Sequence, residues 1–340
     1  MNKLYLSDSL LCNAIDKKDD LYSLIDSGRP QIIVLSNKWI NGTSTASNPM
    51  LKFGKEKGIS VSHYPEDEKV LFSSLENGKY DPEALYILDI NKEAAEHLRA
   101  KRILCLSQRE LKTEKNVLID DDIIYSPQKD VSGYGWKKVL GHISSLPSNN
   151  LLIFDRYLFS KTLSGVKNLS SILDAILPEG AKNDAIYNVF MIISHKKDAS
   201  YDECNEKCDD IANMLKLEVH KRNYKVKIIL YSVSEYCKTF YPITHNRRII
   251  MDTGRLEATY KLDAFKFKKS LCRQSLFVEH LFSKVNLKGV GDPAYKSNYD
   301  DWESFLAFKK ECEIKGWINN EENQTFVIMK SITIPSSAVR

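Results

Sequence analysis

The chain has 340 residues, 43% apolar and 28% charged, with a formal charge of +4 at pH 7, which is enough for a sizeable core and two domains and rules out wholesale disorder. No run approaches the roughly 18 uninterrupted apolar residues of a membrane helix, and the opening MNKLYLSDSLLCNAIDKKDD breaks its apolar patch at Asp8, unlike a secretory signal, so a cytoplasmic protein is expected. Seven scattered cysteines without a C-x-x-C pair imply neither a disulfide framework nor a zinc knuckle, and no metal or cofactor is expected.

From the N-terminus, the runs QIIVLS, GISVS, ALYILDI and RILCLS alternate with polar, helix-forming segments. NKEAAEHLRAK reads as a helix with Asn91 as its cap. This spacing predicts a small, mostly parallel α/β sheet over residues 1–147. Its strand-to-loop junctions lack both the G-x-G-x-x-G and the G-x-x-x-x-G-K-[ST] pattern, so no dinucleotide or nucleotide site of those types is indicated. The loop Ser36 to Met50, rich in hydroxyls and amides, admits either an anion cradle or a solvated connector. Ser, Pro and Asn crowd ahead of LLIFDRYLFS and set the domain boundary near residue 148.

Residues 148–340 begin with the strand NLLIFDRYLF, pass through a helix at KNLSSILDAILPE and return to a strand at IYNVFMIIS. A charged amphipathic helix follows, with Cys208, Ile211, Met214 and Leu215 at three- and four-residue spacing, and Cys204 four residues ahead of Cys208. YKVKIILYS, THNRRIIMDTG and ATYKLDAFKF continue the βαβ order and end it in a hairpin turning at DTG; a helix and a final strand, FVIMKSITI, close the chain. The expected architecture is therefore α/β in two domains, the second with a mixed sheet flanked by helices. Charge is uneven: between His245 and Lys288, ten Lys/Arg face four Asp/Glu, which suits a phosphate-bearing partner or a solvated face.

In a strand over 245–251, alternation sends His245, Arg247, Ile249 and Met251 to one face and Asn246, Arg248 and Ile250 to the other. An imidazole and a guanidinium thus neighbour each other, with Asp252 at the turn. That is H-x-R-x₄-D, one substitution from the H-x-K-x₄-D signature of the phospholipase D superfamily, which this stretch resembles. HNRRIIMDTG followed by YKLDAFK is most similar to the phospholipase D-like C-terminal domain of microtubule-interacting-and-trafficking proteins and its bacterial relatives. His245, Arg247, Gly254, Leu262, Asp263 and Phe265 stand in matching places, and Asp155 and Tyr157 match the opening strand. Asn246, Lys261 and Arg156 depart from the pattern, standing where it has an acidic residue, a glycine and a proline.

The resemblance, which covers residues 148–290, implies a phospholipase D-like domain. In it, His245 would attack phosphorus, Arg247 would hold the phosphoryl oxygens and Asp252 would orient a histidine; Asp155, Asp263 and Lys261 would complete the phosphate-binding set. The chemistry needs a neutral nitrogen nucleophile, a cation for the developing charge and a partner fixing the tautomer. It further implies a phosphodiesterase or nuclease of a bacterial conflict system, such as phage defence, with two chains sharing a site. The rival is a non-catalytic subunit that keeps the fold and binds a partner protein or an anionic ligand.

Two other stretches invite the same question. His195, Lys197 and Asp202 fit H-x-K-x₄-D literally, but a charged strand-to-helix loop with Asp198 or Asp202 near the helix N-terminus explains the same letters. Lys266, Lys268, Lys269 and Arg273 interleave with Phe265, Phe267 and Phe277, as on a nucleic-acid track or an amphipathic segment whose rings enter the core.

Overall fold

The computed structural model describes residues 3–13, 21–22, 24–25, 32–36, 48–64, 67–81, 84–101, 103–111, 123–125, 135–141, 150–180, 186–196, 198–234, 247–251, 254–259, 262, 264–266, 269–272, 275–280, 294–319 and 327–337. They form two compact units, each built on its own sheet, with an α/β architecture throughout. Among the described residues, no helix is long and apolar enough to cross a membrane.

The first unit takes Met1–Asp122, Asp252–Gly254 and His280–Tyr299. Its elements are β1 (Lys3–Leu6), α1 (Asp8–Asn13), β2 (Ile32–Ser36), α2 (Pro49–Glu56), β3 (Ser60–Tyr64), α3 (Glu68–Glu76), β4 (Ala84–Leu88), α4 (Lys92–Ala100) and β5 (Cys105–Ser107). All five strands run parallel in the order β3-β2-β1-β4-β5. The central β1 was not among the strands expected: four residues reading K-L-Y-L carry too little periodicity to stand out, and only pairing to both β2 and β4 makes them a strand. Asn91 caps α4 as its position predicts, accepting from the Ala94 amide at 2.8 Å. Residues 37–47 of the predicted 36–50 loop lie outside the described residues, while Asn48 caps α2 by accepting from Met50 and Leu51.

The second unit takes Ile123–Met251, Arg255–Glu279 and Asp300–Arg340. Apart from Gly254, His280 and residues 294–299, which count with the first unit, it contains β6 (Ile123–Tyr125), α5 (Trp136–Gly141), β7 (Asn150–Phe154), α6 (Thr162–Ile176), β8 (Ile186–His195), α7 (Tyr201–Glu218), β9 (Lys225–Ser234), β10 (Arg247–Met251), β11 (Gly254–Ala258), β12 (Phe265–Lys266), β13 (Lys269–Cys272), β14 (Leu276–His280), α8 (Ala294–Lys315) and β15 (Val327–Ile334). β6 and α5 precede residue 148 yet belong here: β6 pairs with β14, and Val139 and Leu140 join the core. One eight-stranded sheet runs β15-β9-β8-β7-β10-β11-β14-β6. Its β7, β8 and β9 are parallel, and β10 and β15 flank them antiparallel.

Strand alternation divides this unit's core into two layers. Leu151, Ile153, Val189, Met191, Ile228, Ile249 and Met251 pack with α5, α6 and α7; Leu152, Phe154, Ile192, Tyr231 and Ile250 pack with Phe305, Phe308 and Cys312 of α8. The expected amphipathic helix is α7, burying Cys204, Cys208, Ile211 and Leu215, and it opens on a capping box between Ser200 and Glu203. Phe265 turns its ring into the core, edge-on to Trp136 with centroids 5.1 Å apart, so at this position the amphipathic reading holds.

The first turn of α6 presses on the turn that follows β7. A Cβ at Gly165 would overlap the Leu158 carbonyl oxygen and the Phe159 ring. Gly165→Ala is therefore expected to destabilise the unit by up to about 2 kcal/mol, because overpacking of about 1–3 kcal/mol is set against a gain of about 1 kcal/mol in helix propensity. A lower urea midpoint checks it; a raised midpoint would mean the turn can yield.

Candidate functional site

The three parallel strands end at Phe154, His195 and Ser234, and antiparallel β10 starts at the same edge with Arg247. Phe154 pairs with Ile192 on one side and with Arg248 on the other, so the next row outward holds Asp155 and Arg247. Asp155, His195 and Arg247 share the parity of Ile153, Ile193 and Ile249, which places them on the α6–α7 face. Crevices outside the carboxyl ends of parallel strands are where open α/β sheets commonly take ligands.

Asp155 is completely buried. One carboxylate oxygen accepts the Tyr157 amide at 2.8 Å and the other accepts the Leu262 amide at 2.5 Å. The Leu262 carbonyl is held in turn by the Asn168 side-chain amide of α6, whose own oxygen accepts the Trp136 indole N–H at 2.8 Å. Asp155 was expected among the phosphate contacts; the bonds described for its carboxylate run to these two backbone amides. A fully buried, acceptor-only carboxylate presents no oxygen at the surface to an anion, which it would also repel. Its work is to tie the Asp155–Ser160 turn to Leu262.

Beside that latch stand two guanidinium groups. Arg247 lies with its Cζ 5.7 Å from the centre of the Tyr157 ring, and Arg156 with its Cζ 5.5 Å from the same centre. Both distances fall within cation–π range, worth about 0.5–1 kcal/mol at a partly exposed site. Tyr157 itself is 43% exposed. Arg156 was not anticipated as part of the site; its signal was an Arg-Tyr pair directly after a buried strand, where the family pattern has a proline. Of the other predicted site residues, His245, Asp252, Lys261 and Asp263 lie outside the described residues, although Leu262 between the last two is buried and fixed at the site's edge.

Arg248 shows what the opposite face does with the same side chain. It meets Glu257 at 3.0 Å and Asp301 of α8 at 2.7 Å. Burial pushes the Asp301 carboxyl above its usual range despite the adjacent Arg248, whose own guanidinium is held still more firmly protonated by the two carboxylates. This guanidinium is a structural tie between β10, β11 and α8.

The second literal motif resolves as a strand-to-helix connection. His195 is the last residue of β8 and is buried, its Nδ1 3.0 Å from the Ser232 hydroxyl of β9. Asp202 sits in the first turn of α7, where an acidic side chain favours the helix dipole; Lys197 lies outside the described residues. Cys208, hydrogen-bonded to the same Ser232, has its thiol pushed up to about 11 by burial, which makes it an inert core thiol.

No protein-family model matches this chain, and no curated protein matches it.

Proposed function

We propose that the second unit binds a phosphodiester at the carboxyl edge of β7 and β8 through Arg247, and hydrolyses it with His245 as nucleophile. The observation that carries the binding half is the meeting of two guanidinium groups, Arg156 and Arg247, at one half-exposed ring. Guanidinium binds phosphate oxygens in bidentate fashion and keeps its charge at any physiological pH. The uneven charge between His245 and Lys288 supports a phosphate-bearing ligand in the same way.

The hydrolytic half rests on the resemblance of HNRRIIMD to the phospholipase D signature. The imidazole would form a bond to phosphorus as the ester oxygen leaves and takes up a proton. Water would then break the phosphorus–nitrogen bond, so that one ester bond is hydrolysed in all. In this reading the protein is cytoplasmic, two chains share a site, and the resemblance alone extends the role to bacterial phage defence.

The test is binding and cleavage of a labelled oligonucleotide by the full chain. Arg247→Gln is expected to weaken binding about 10- to 100-fold, the worth of a charge-assisted hydrogen bond. His245→Ala should stop cleavage and retain binding. Cleavage that survives His245→Ala removes the nucleophile. Binding without cleavage by the unsubstituted chain makes it a non-catalytic interaction subunit. Absence of binding ends the reading.

A further inference from the structure

We propose that Tyr157 is a stacking platform for an unpaired nucleobase, which makes the ligand of this site single-stranded nucleic acid; the proposal rests on the phosphodiester reading above and deepens it. An exposed tyrosine alone means little, since apolar atoms furnish much of any protein surface. What distinguishes this one is how it is presented.

The Tyr157 amide is fixed by the fully buried Asp155, and its carbonyl accepts the Ser160 amide at 2.9 Å. Leu158 donates back to the Asp155 carbonyl at 3.3 Å, and α6 packs so closely on this turn that Gly165 has no room for a Cβ. The backbone beneath the ring is therefore held on three sides while 43% of the residue stays open. An aromatic held in place before the ligand arrives loses little entropy on binding.

The two cations complete the match. Both guanidinium carbons lie over the ring, 5.5 and 5.7 Å from its centre, and the surface of Tyr157 that stays exposed is where a base would stack. A nucleotide brings a flat π face and a phosphate a few ångströms apart, and this site has a ring and guanidinium groups at the same spacing. A lipid headgroup offers the phosphate without the plane. A duplex offers both but keeps its base faces stacked inside the helix.

The experiment compares, for the full chain, the affinities of a labelled oligothymidylate, an abasic oligonucleotide of equal length, a duplex and phosphatidylglycerol vesicles. The single strand should bind tightest, and its ratio of affinity over the abasic strand should be about 5- to 100-fold, as base–aromatic stacking is worth on alanine substitution. Tyr157→Leu should bring that ratio close to one, and Tyr157→Phe should keep it. If Tyr157→Leu preserves the ratio, or if duplex or vesicles bind as tightly as the single strand, the stacking proposal fails. The phosphodiester reading survives that failure as long as Arg247→Gln still weakens the abasic strand. If Arg247→Gln leaves abasic binding unchanged, both fail together.

Discussion

Asp155→Ala is expected to destabilise the second unit by about 2–5 kcal/mol and to abolish the proposed phosphodiester binding, although the carboxylate is sealed from solvent. Its oxygens are the acceptors of the Tyr157 and Leu262 amides, and Asp155 has no exposed surface through which water could replace them. Each buried donor left unsatisfied costs about 1–3 kcal/mol. Asp155→Asn is expected to rescue little. The side-chain amide keeps one acceptor oxygen, so one of the two backbone donors would face an NH₂ donor instead. Hydrogen exchange reads the effect locally: the Tyr157 and Leu262 amides should lose protection in both variants while the β8–β9 amides keep theirs. Unchanged exchange at those two amides would show that the latch carries no weight, and the loss of binding would then need another cause.

That latch also marks where reading the sequence stops. The continuously buried apolar run LLIF, the burial that alternates at the start of YNVFMII and VKIILYSV, and the three- and four-residue spacing of Cys208, Ile211 and Leu215 reflect local geometry, and the α/β architecture follows from them. Asn91 signalled its helix start for the same reason, because a cap bonds within three residues. The role of Asp155 depends instead on an amide 107 positions away, and nothing local to DRY announces Leu262 as its partner. β6 was equally silent: three residues, IIY, become a strand by pairing with β14. A boundary read from the Ser, Pro and Asn crowding before residue 150 therefore passed over elements whose membership is decided by long-range pairing.

The adjacent arginines of β10 put the site itself to the test, since alternation gives two identical side chains opposite surroundings. Arg248→Met is expected to destabilise the unit by about 3 kcal/mol, the cost of leaving a buried carboxylate without its cation. Asp301 is mostly buried and already pushed toward its neutral form, so it has little hydration to fall back on, whereas Glu257 is more open and loses less. The loss should shrink if Asp301→Asn is introduced together with Arg248→Met, because the uncompensated charge is then gone; the double-mutant cycle measures that coupling. Binding of an oligonucleotide at temperatures where the variant stays folded should match that of the unsubstituted chain, since this guanidinium faces α8. Arg247→Met should do the reverse at the site, removing most of the proposed binding. If both variants lose stability and neither loses affinity, Arg247 is only a second structural arginine, and the carboxyl edge of β7 and β8 would need a different ligand chemistry from the phosphate group.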